Sequence, residues 1–266
     1  MKDDSIDKTN RVTKEAWCEN WINIDIETVL EIFNYPRVRR LMGIIVDYIP
    51  KGGPVLEAGC GLGPWVMKLD MLGYKMVGID YQKECIDKIK AYNDLLEVYT
   101  ADVRSIPFEE NHFSAYLSWG VIEHFAEGPE GVLREAHRVL IPEGRLILTV
   151  PYRNIFLKIK GPMDYIKDNV FIRKIFNKPL RVRYYQKYFR VNELEEVISK
   201  SGFLVERIIP VDHIFSLVEF CSIFRNKDSY DGENKLAVIA GNFLEKAMRW
   251  AGAGSILVVA RKCCSI

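Results

Sequence analysis

Three carboxylates and three glycines are spaced where they could hold a small ligand. The glycines are Gly59, Gly61 and Gly63, in the run V-L-E-A-G-C-G-L-G at 55–63, and Glu57 stands two residues ahead of the first. Asp80 follows an apolar run at 76–79, and Asp102 follows another at 96–101. A glycine-rich turn lets the backbone approach a ligand closely, and a helix opening after it presents N–H groups. Acids at strand ends reach the crevice above an open sheet. Two details separate this pattern from a dinucleotide fingerprint. That fingerprint, G-x-G-x-x-G, needs Gly or Ala where this chain has Pro64, and here the third glycine comes early, at Gly63. Glu57 would repel a diphosphate and attract a cation. A nicotinamide-dependent oxidoreductase is disfavoured on both counts. The bland readings are tight packing for the glycines and a helix cap for Asp80. Loop aspartates are common, so Asp102 alone carries less.

Other reactive groups are sparse. His124 is a weak candidate base, which could equally orient its loop. His112, His137 and His213 read as surface or packing residues. Trp119 reads as a wall rather than a reactant. The six cysteines have no C-x-x-C spacing, and no histidine lies near one in sequence, so no metal framework is expected. Adjacent Cys263 and Cys264 do not look like a structural disulfide, which points to a reducing, cytoplasmic compartment.

The elements that position these residues alternate. Strands are expected at 55–59, 76–79, 96–101, 113–119 and 145–150. Helices are expected from Pro64 to Gly73, with Trp65, Leu69 and Leu72 on one face, and at 82–92 and 129–140. Strand–helix alternation argues for a parallel sheet covered on both faces. Upstream, residues 1–20 are polar and read as loose. Pro36 splits the apolar pattern at 27–48 into two short helices. Downstream, Asn192 and Glu195 form a capping box opening a helix to Ser201. A sixth strand at 203–211, helical stretches near 213–224 and 235–250, and a last strand at 255–260 follow.

With 266 residues, 48% of them apolar, the chain can bury one large α/β domain, and its net charge of +1 selects no partner class. The opening MKDDSIDKTN has no apolar core, so no signal peptide is expected, nor any spanning helix.

The glycine run, with Asp80, Asp102, S-W-G-V-I-E-H-F at 118–125 and E-A-H-R-V-L-I-P-E-G-R-L at 135–146, resembles the class I methyltransferases that depend on S-adenosylmethionine (SAM). The match covers roughly 54–150. It implies a Rossmann-like, doubly wound seven-stranded sheet of order 3-2-1-4-5-7-6 with the final strand antiparallel. It also implies roles. Gly59, Cys60, Gly61 and Gly63 would line the methionine part of SAM, and Glu57 would stand near its amino group. Asp80 would accept the ribose hydroxyls, with Tyr81 on the adenine. Asp102 and the Val103 N–H would meet the adenine edge, and Trp119 would close the far side. The usual Gly-Gly turn of the family is replaced by Glu143-Gly144.

Methyl transfer from a sulfonium needs mostly positioning, so the lack of a catalytic dyad is no objection. The N-P-P-Y-type motif of amino-methylating nucleic-acid enzymes is absent. Residues 151–190 hold eleven Lys and Arg against two acids, and nine aromatics. They read as a lid inserted after strand five, and 212–250 as a helical insertion between the last two strands, within one domain spanning 1–266. A basic lid suggests a small, anionic or lipid-linked acceptor; nucleic acid is the alternative partner. The apolar stretch 213–224 raises peripheral membrane contact beside ordinary core packing. A non-catalytic SAM-binding partner protein is the remaining alternative.

Overall fold

The inner strands are buried apolar runs whose successive side chains face opposite layers. The computed structural model describes residues 4–159, 185–226 and 232–263. Its sheet contains β1 (Pro54–Ala58), β2 (Lys75–Asp80), β3 (Glu97–Thr100), β4 (Phe113–Trp119), β5 (Leu140–Pro151), β6 (Phe203–Val211) and β7 (Ser255–Lys262). The order is β3-β2-β1-β4-β5-β7-β6, as the resemblance implied. Neighbours from β3 to β5 pair parallel, whereas β7 runs antiparallel to both β5 and β6. Along β7, Ile256, Val258 and Ala260 enter one apolar layer and Leu257 and Val259 the other. This two-sided burial is what gives parallel sheets their near-continuous apolar strands.

One face is covered by α6 (Glu130–Val139) and α7 (Val191–Lys200), which contribute Leu133, Ala136, Leu194 and Ile198. The other is covered by α3 (Pro36–Ile45), α4 (Pro64–Met71) and α5 (Lys83–Tyr92). Pro36 is the first residue of α3, where its missing N–H costs nothing. Before it come α1 (Asp4–Ile22), α2 (Ile26–Leu30) and a 3-10 turn at Glu31–Asn34. The chain closes its last crossover with α8 (His213–Phe220) and α9 (Lys235–Ala247).

Three local expectations need correction. Residues 4–22 are helical rather than loose. The Asn192 capping box is not used: the helix starts two residues earlier, with Arg190 at its N-cap and no side-chain cap bond. Leu72 lies past the end of α4 and is 51% exposed, because the helix stops at Met71.

The stretch 151–190, expected to be a lid insertion, is described only at its ends, and 160–184 lie outside the described residues. Its returning end runs beside β5, with Phe189 N–H donating to Pro151 and Arg153 N–H to Phe189. In the stretch 213–224, Ile214, Leu217 and Val218 are buried, Ile214 and Val218 against Ala237 of α9. Among the described residues no helix is long and apolar enough to cross a membrane.

Candidate functional site

The turn after β1 needs its glycines for space and for backbone sign. Gly59 has φ +81°, and a Cβ there would fall 2.5 Å from Val121 Cγ2. Gly61 has φ +55° and donates its N–H to Asp80 Oδ2 at 2.9 Å. The N–H groups of Gly59 and Cys60 both donate to the Ile79 carbonyl, at 2.8 and 2.9 Å. The turn is therefore stitched to the end of β2. Asp80 also accepts from Gln82 N–H at 2.9 Å through Oδ1. Burial raises the Asp80 pKa above its ordinary value, and these backbone donors hold part of the rise back. An ionised carboxylate has about four acceptor sites, so the backbone bonds from Gln82, Gly61 and Tyr81 still leave it able to take a hydroxyl donor.

A cavity of about 270 Å³ opens over this turn. Of the residues singled out from sequence, Glu57, Gly59, Cys60, Gly61, Asp80, Tyr81, Asp102, Val103, Trp119 and His124 all line it. Gly63 does not. It starts α4 with φ +71°, where a Cβ would meet Ile89 Cδ1 at 2.9 Å.

Glu57 is a buried carboxyl with an unmet demand at the glycine turn. It is 2% exposed, and its Oε2 has no hydrogen-bond partner. Burial pushes its pKa well up, the Val66 N–H opposes this, and the neighbouring Asp80 charge adds to it. A buried carboxyl left half-satisfied costs about 1–3 kcal/mol or more, which a cationic or hydrogen-bonding ligand would recover. The Cys60 thiol is also pushed well up, first by burial and then by Glu57 and Asp80, so it is no thiolate nucleophile.

Asp102 sits differently from Asp80. Arg104 donates from Nε to Oδ1 at 3.0 Å and from Nη2 to Oδ2 at 2.7 Å, and its own N–H bonds Oδ1 at 2.9 Å. Burial alone would raise Asp102, yet these bonds bring it below its ordinary value. Arg104 also pairs with Glu127 at 2.7 Å.

After β4 the chain turns through Gly120 into a 3-10 turn at Ile122–His124. His124 Nδ1 lies 2.8 Å from the Tyr185 carbonyl, which can only accept. The ring hydrogen is therefore on Nδ1 and the lone pair on Nε2. Burial lowers the His124 pKa, so the ring is neutral at neutral pH. Glu123, buried beside it with Oε2 unpartnered, is raised by burial to about 8.

The third wall was not legible from motifs. Helix α1 brings Asn10, Thr13, Lys14, Trp17 and Trp21 to the cavity. Tyr81 OH donates to the Lys14 carbonyl at 3.3 Å, and Lys88 Nζ donates to the carbonyls of Trp21 and Ile24 at 3.1 and 2.9 Å. The available signal was Trp17 and Trp21 four residues apart, one helical turn. The other histidines pack: His213 Nε2 lies 2.6 Å from the Arg249 carbonyl, and His112 and His137 sit against Phe113 and Phe203. Among the described residues no group of three His, Cys, Asp or Glu is placed to hold a metal.

Comparison with known proteins places the chain among methyltransferases. Residues 56–148 match the methyltransferase domain family. A probable S-adenosylmethionine-dependent methyltransferase of Mycolicibacterium smegmatis is 26% identical over 168 residues, covering 63% of this chain and 58% of that protein. The probable tRNA methyltransferase 9B of Mus musculus is 33% identical, covering 46% of this chain and 26% of its own length. The chain thus spans less than two thirds of either relative. Among solved structures, Burkholderia thailandensis 1,6-didemethyltoxoflavin-N1-methyltransferase superposes with TM-score 0.61 at 14% identity, over 97% of this chain and 91% of that one. That likeness is one of fold.

Proposed function

From the premise that the chain carries a class I SAM-dependent methyltransferase domain, we propose that it moves the methyl group of SAM to a small acceptor in this cavity. The observation that carries the reading is the unpartnered Glu57 Oε2 beside the glycine turn, at a cavity shared with Asp80. SAM offers an ammonium group, a sulfonium and a ribose diol, which answer a buried carboxyl and a strand-end carboxylate. The residues fit the group.

Glu57 would stand near the ammonium, with Gly59, Cys60 and Gly61 passing their backbone along the methionyl chain. Asp80 would accept the ribose hydroxyls through the capacity its backbone bonds leave. Tyr81, held by Lys14 and by Gln82 Nε2 at 2.9 Å, would pack on the adenine. Val103 N–H would meet the adenine edge, while Asp102 mainly fixes Arg104. Bound SAM supplies an electrophilic methyl whose leaving group is a neutral thioether. The chain's own part is to hold donor and acceptor in line, exclude water with its aromatic walls, and take a proton at His124 Nε2 where the acceptor must lose one.

Calorimetric titration with S-adenosylhomocysteine tests this, with NADH as comparator and Asp80→Ala as control. Micromolar binding of the first alone, lost in the variant, is the expected result. Binding of NADH in its place would overturn the reading.

RNA methylation is the second reading. It draws on the basic stretch 151–190 and on the likeness to the mouse probable tRNA methyltransferase. Steeply salt-dependent binding of tRNA would favour it; none at low salt would remove it.

A further inference from the structure

The chain has five tryptophans, and Trp17, Trp21, Trp65 and Trp119 all line this cavity. Building on the methyl-transfer reading of that cavity, we infer that the acceptor is a planar aromatic or conjugated molecule with an ionisable hydroxyl, seated against Trp65 and Trp119 and deprotonated by His124.

The glycine turn, Glu57 and Asp80 answer SAM on the β1–β2 side. They leave the part of the wall around Trp65, Trp119 and His124 for the acceptor. Trp65 and Trp119 lie 5.0 Å apart between centroids at 36°, and Phe33 backs Trp65 edge-on at 5.1 Å. Trp17 meets His124 edge-on at 5.3 Å and stacks with Trp21 at 6.1 Å and 19°. Such walls are large, flat and rigid, and they favour flat ligands over flexible chains. An aliphatic acceptor would gain area here but no ring contacts.

The polar groups narrow the class. Trp119 Nε1 is buried without a hydrogen-bond partner, and an indole nitrogen is a donor only. An acceptor carrying an oxygen or nitrogen against this indole would satisfy it. His124 keeps its hydrogen on Nδ1 against the Tyr185 carbonyl, which directs its lone pair to Nε2. An amine acceptor is already nucleophilic when neutral, whereas a phenolic or enolic hydroxyl reacts far better as its anion. A neutral imidazole at the acceptor wall serves the second case. In that step the hydroxyl proton passes to His124 Nε2. The freed oxygen pair forms the O–C bond to the methyl carbon as the S–C bond breaks, and the sulfur keeps that bond's electrons. The imidazolium then returns its proton to water.

Three planar hydroxyl probes test this: 7-hydroxycoumarin, 1-naphthol and 8-hydroxyquinoline. Equilibrium dialysis against the full chain saturated with S-adenosylhomocysteine measures binding, and tritiated methyl transfer from SAM measures turnover. At least one probe is expected to bind and accept label. Trp119→Phe keeps the ring and removes the donor, and it should weaken that probe about tenfold. His124→Gln should leave binding within about twofold and lower transfer about 100-fold or more. S-adenosylhomocysteine affinity should be unchanged in His124→Gln, and thermal melts close to wild type in both variants show that they fold. If no probe binds while S-adenosylhomocysteine does, the acceptor inference is wrong and the cofactor reading stands. If S-adenosylhomocysteine itself does not bind, the underlying reading fails. Label entering bulk tRNA but none of the probes overturns the inference in favour of nucleic acid, and full transfer by His124→Gln overturns the assigned base.

Discussion

Arg104 grips both carboxylate oxygens of Asp102, at 3.0 and 2.7 Å, at the edge of the ligand cavity. The aspartate that motif reasoning offers to the adenine is thus already held by a guanidinium, whereas Asp80 is held only by backbone N–H groups. We expect Asp102→Asn to weaken S-adenosylhomocysteine less than about threefold while lowering stability by about 0.5–1.5 kcal/mol, since the pair is only half-buried. Asp80→Asn should weaken the ligand at least about tenfold, because it disturbs both the turn and the ribose site. Calorimetry with thermal melts on the two variants separates these effects, and equal losses of affinity would assign Asp102 a direct ligand role.

Glu57 should couple ligand binding to proton release. Its pKa is raised in the free protein, chiefly by burial, and a cation arriving beside it favours the carboxylate. Binding therefore expels a proton, and affinity rises with pH until the free protein ionises on its own. S-adenosylhomocysteine titrations in phosphate and in Tris should differ in heat by the buffers' ionisation enthalpies. The difference should vanish in Glu57→Gln.

Glu123 makes a prediction about stability. Its folded-state pKa is about 8 against an ordinary 4.5, with burial as the cause. The carboxyl of the unfolded chain ionises first, so the folded state loses ground as pH climbs from about 4.5 to about 8. The loss is at most about 1.4 kcal/mol for each pH unit crossed. The wild-type melting temperature should fall across that window. In Glu123→Gln the fall should be shallower and the protein more stable at about pH 9; an identical slope would show that Glu123 ionises elsewhere.

Lys88 ties the end of α1 to α5 through the carbonyls of Trp21 and Ile24. Lys88→Met should speed amide exchange across residues 4–22 several-fold and raise the dissociation rate of S-adenosylhomocysteine, with little change in the sheet. Hydrogen exchange read by mass spectrometry reports both regions at once.

The sheet was legible because its inner strands are buried on both faces and so read as apolar runs; β4 and β6 begin and end where their residues suggest. The glycine turn was legible because positive φ and close packing exclude other residues at Gly59 and Gly63. Helix α1 was not. Its polar sequence has no stripe wide enough to announce a core face, and its tryptophans meet the cavity rather than the main core. The partner of Asp102 lay two residues along the chain, but an arginine near an aspartate says nothing of direction until the turn at 102–105 is formed. Leu72 was misplaced because periodicity cannot see where a helix stops.

The position of β7 also governs how the chain can assemble. β7 fills the gap between two strands made before it, and β6 joins the sheet only along β7. Order of synthesis and order of pairing therefore differ. Until Ser255–Lys262 has been made, β5 keeps an open edge and β6 has no neighbour, so a nascent chain halted short of residue 255 exposes two apolar strand edges to other chains.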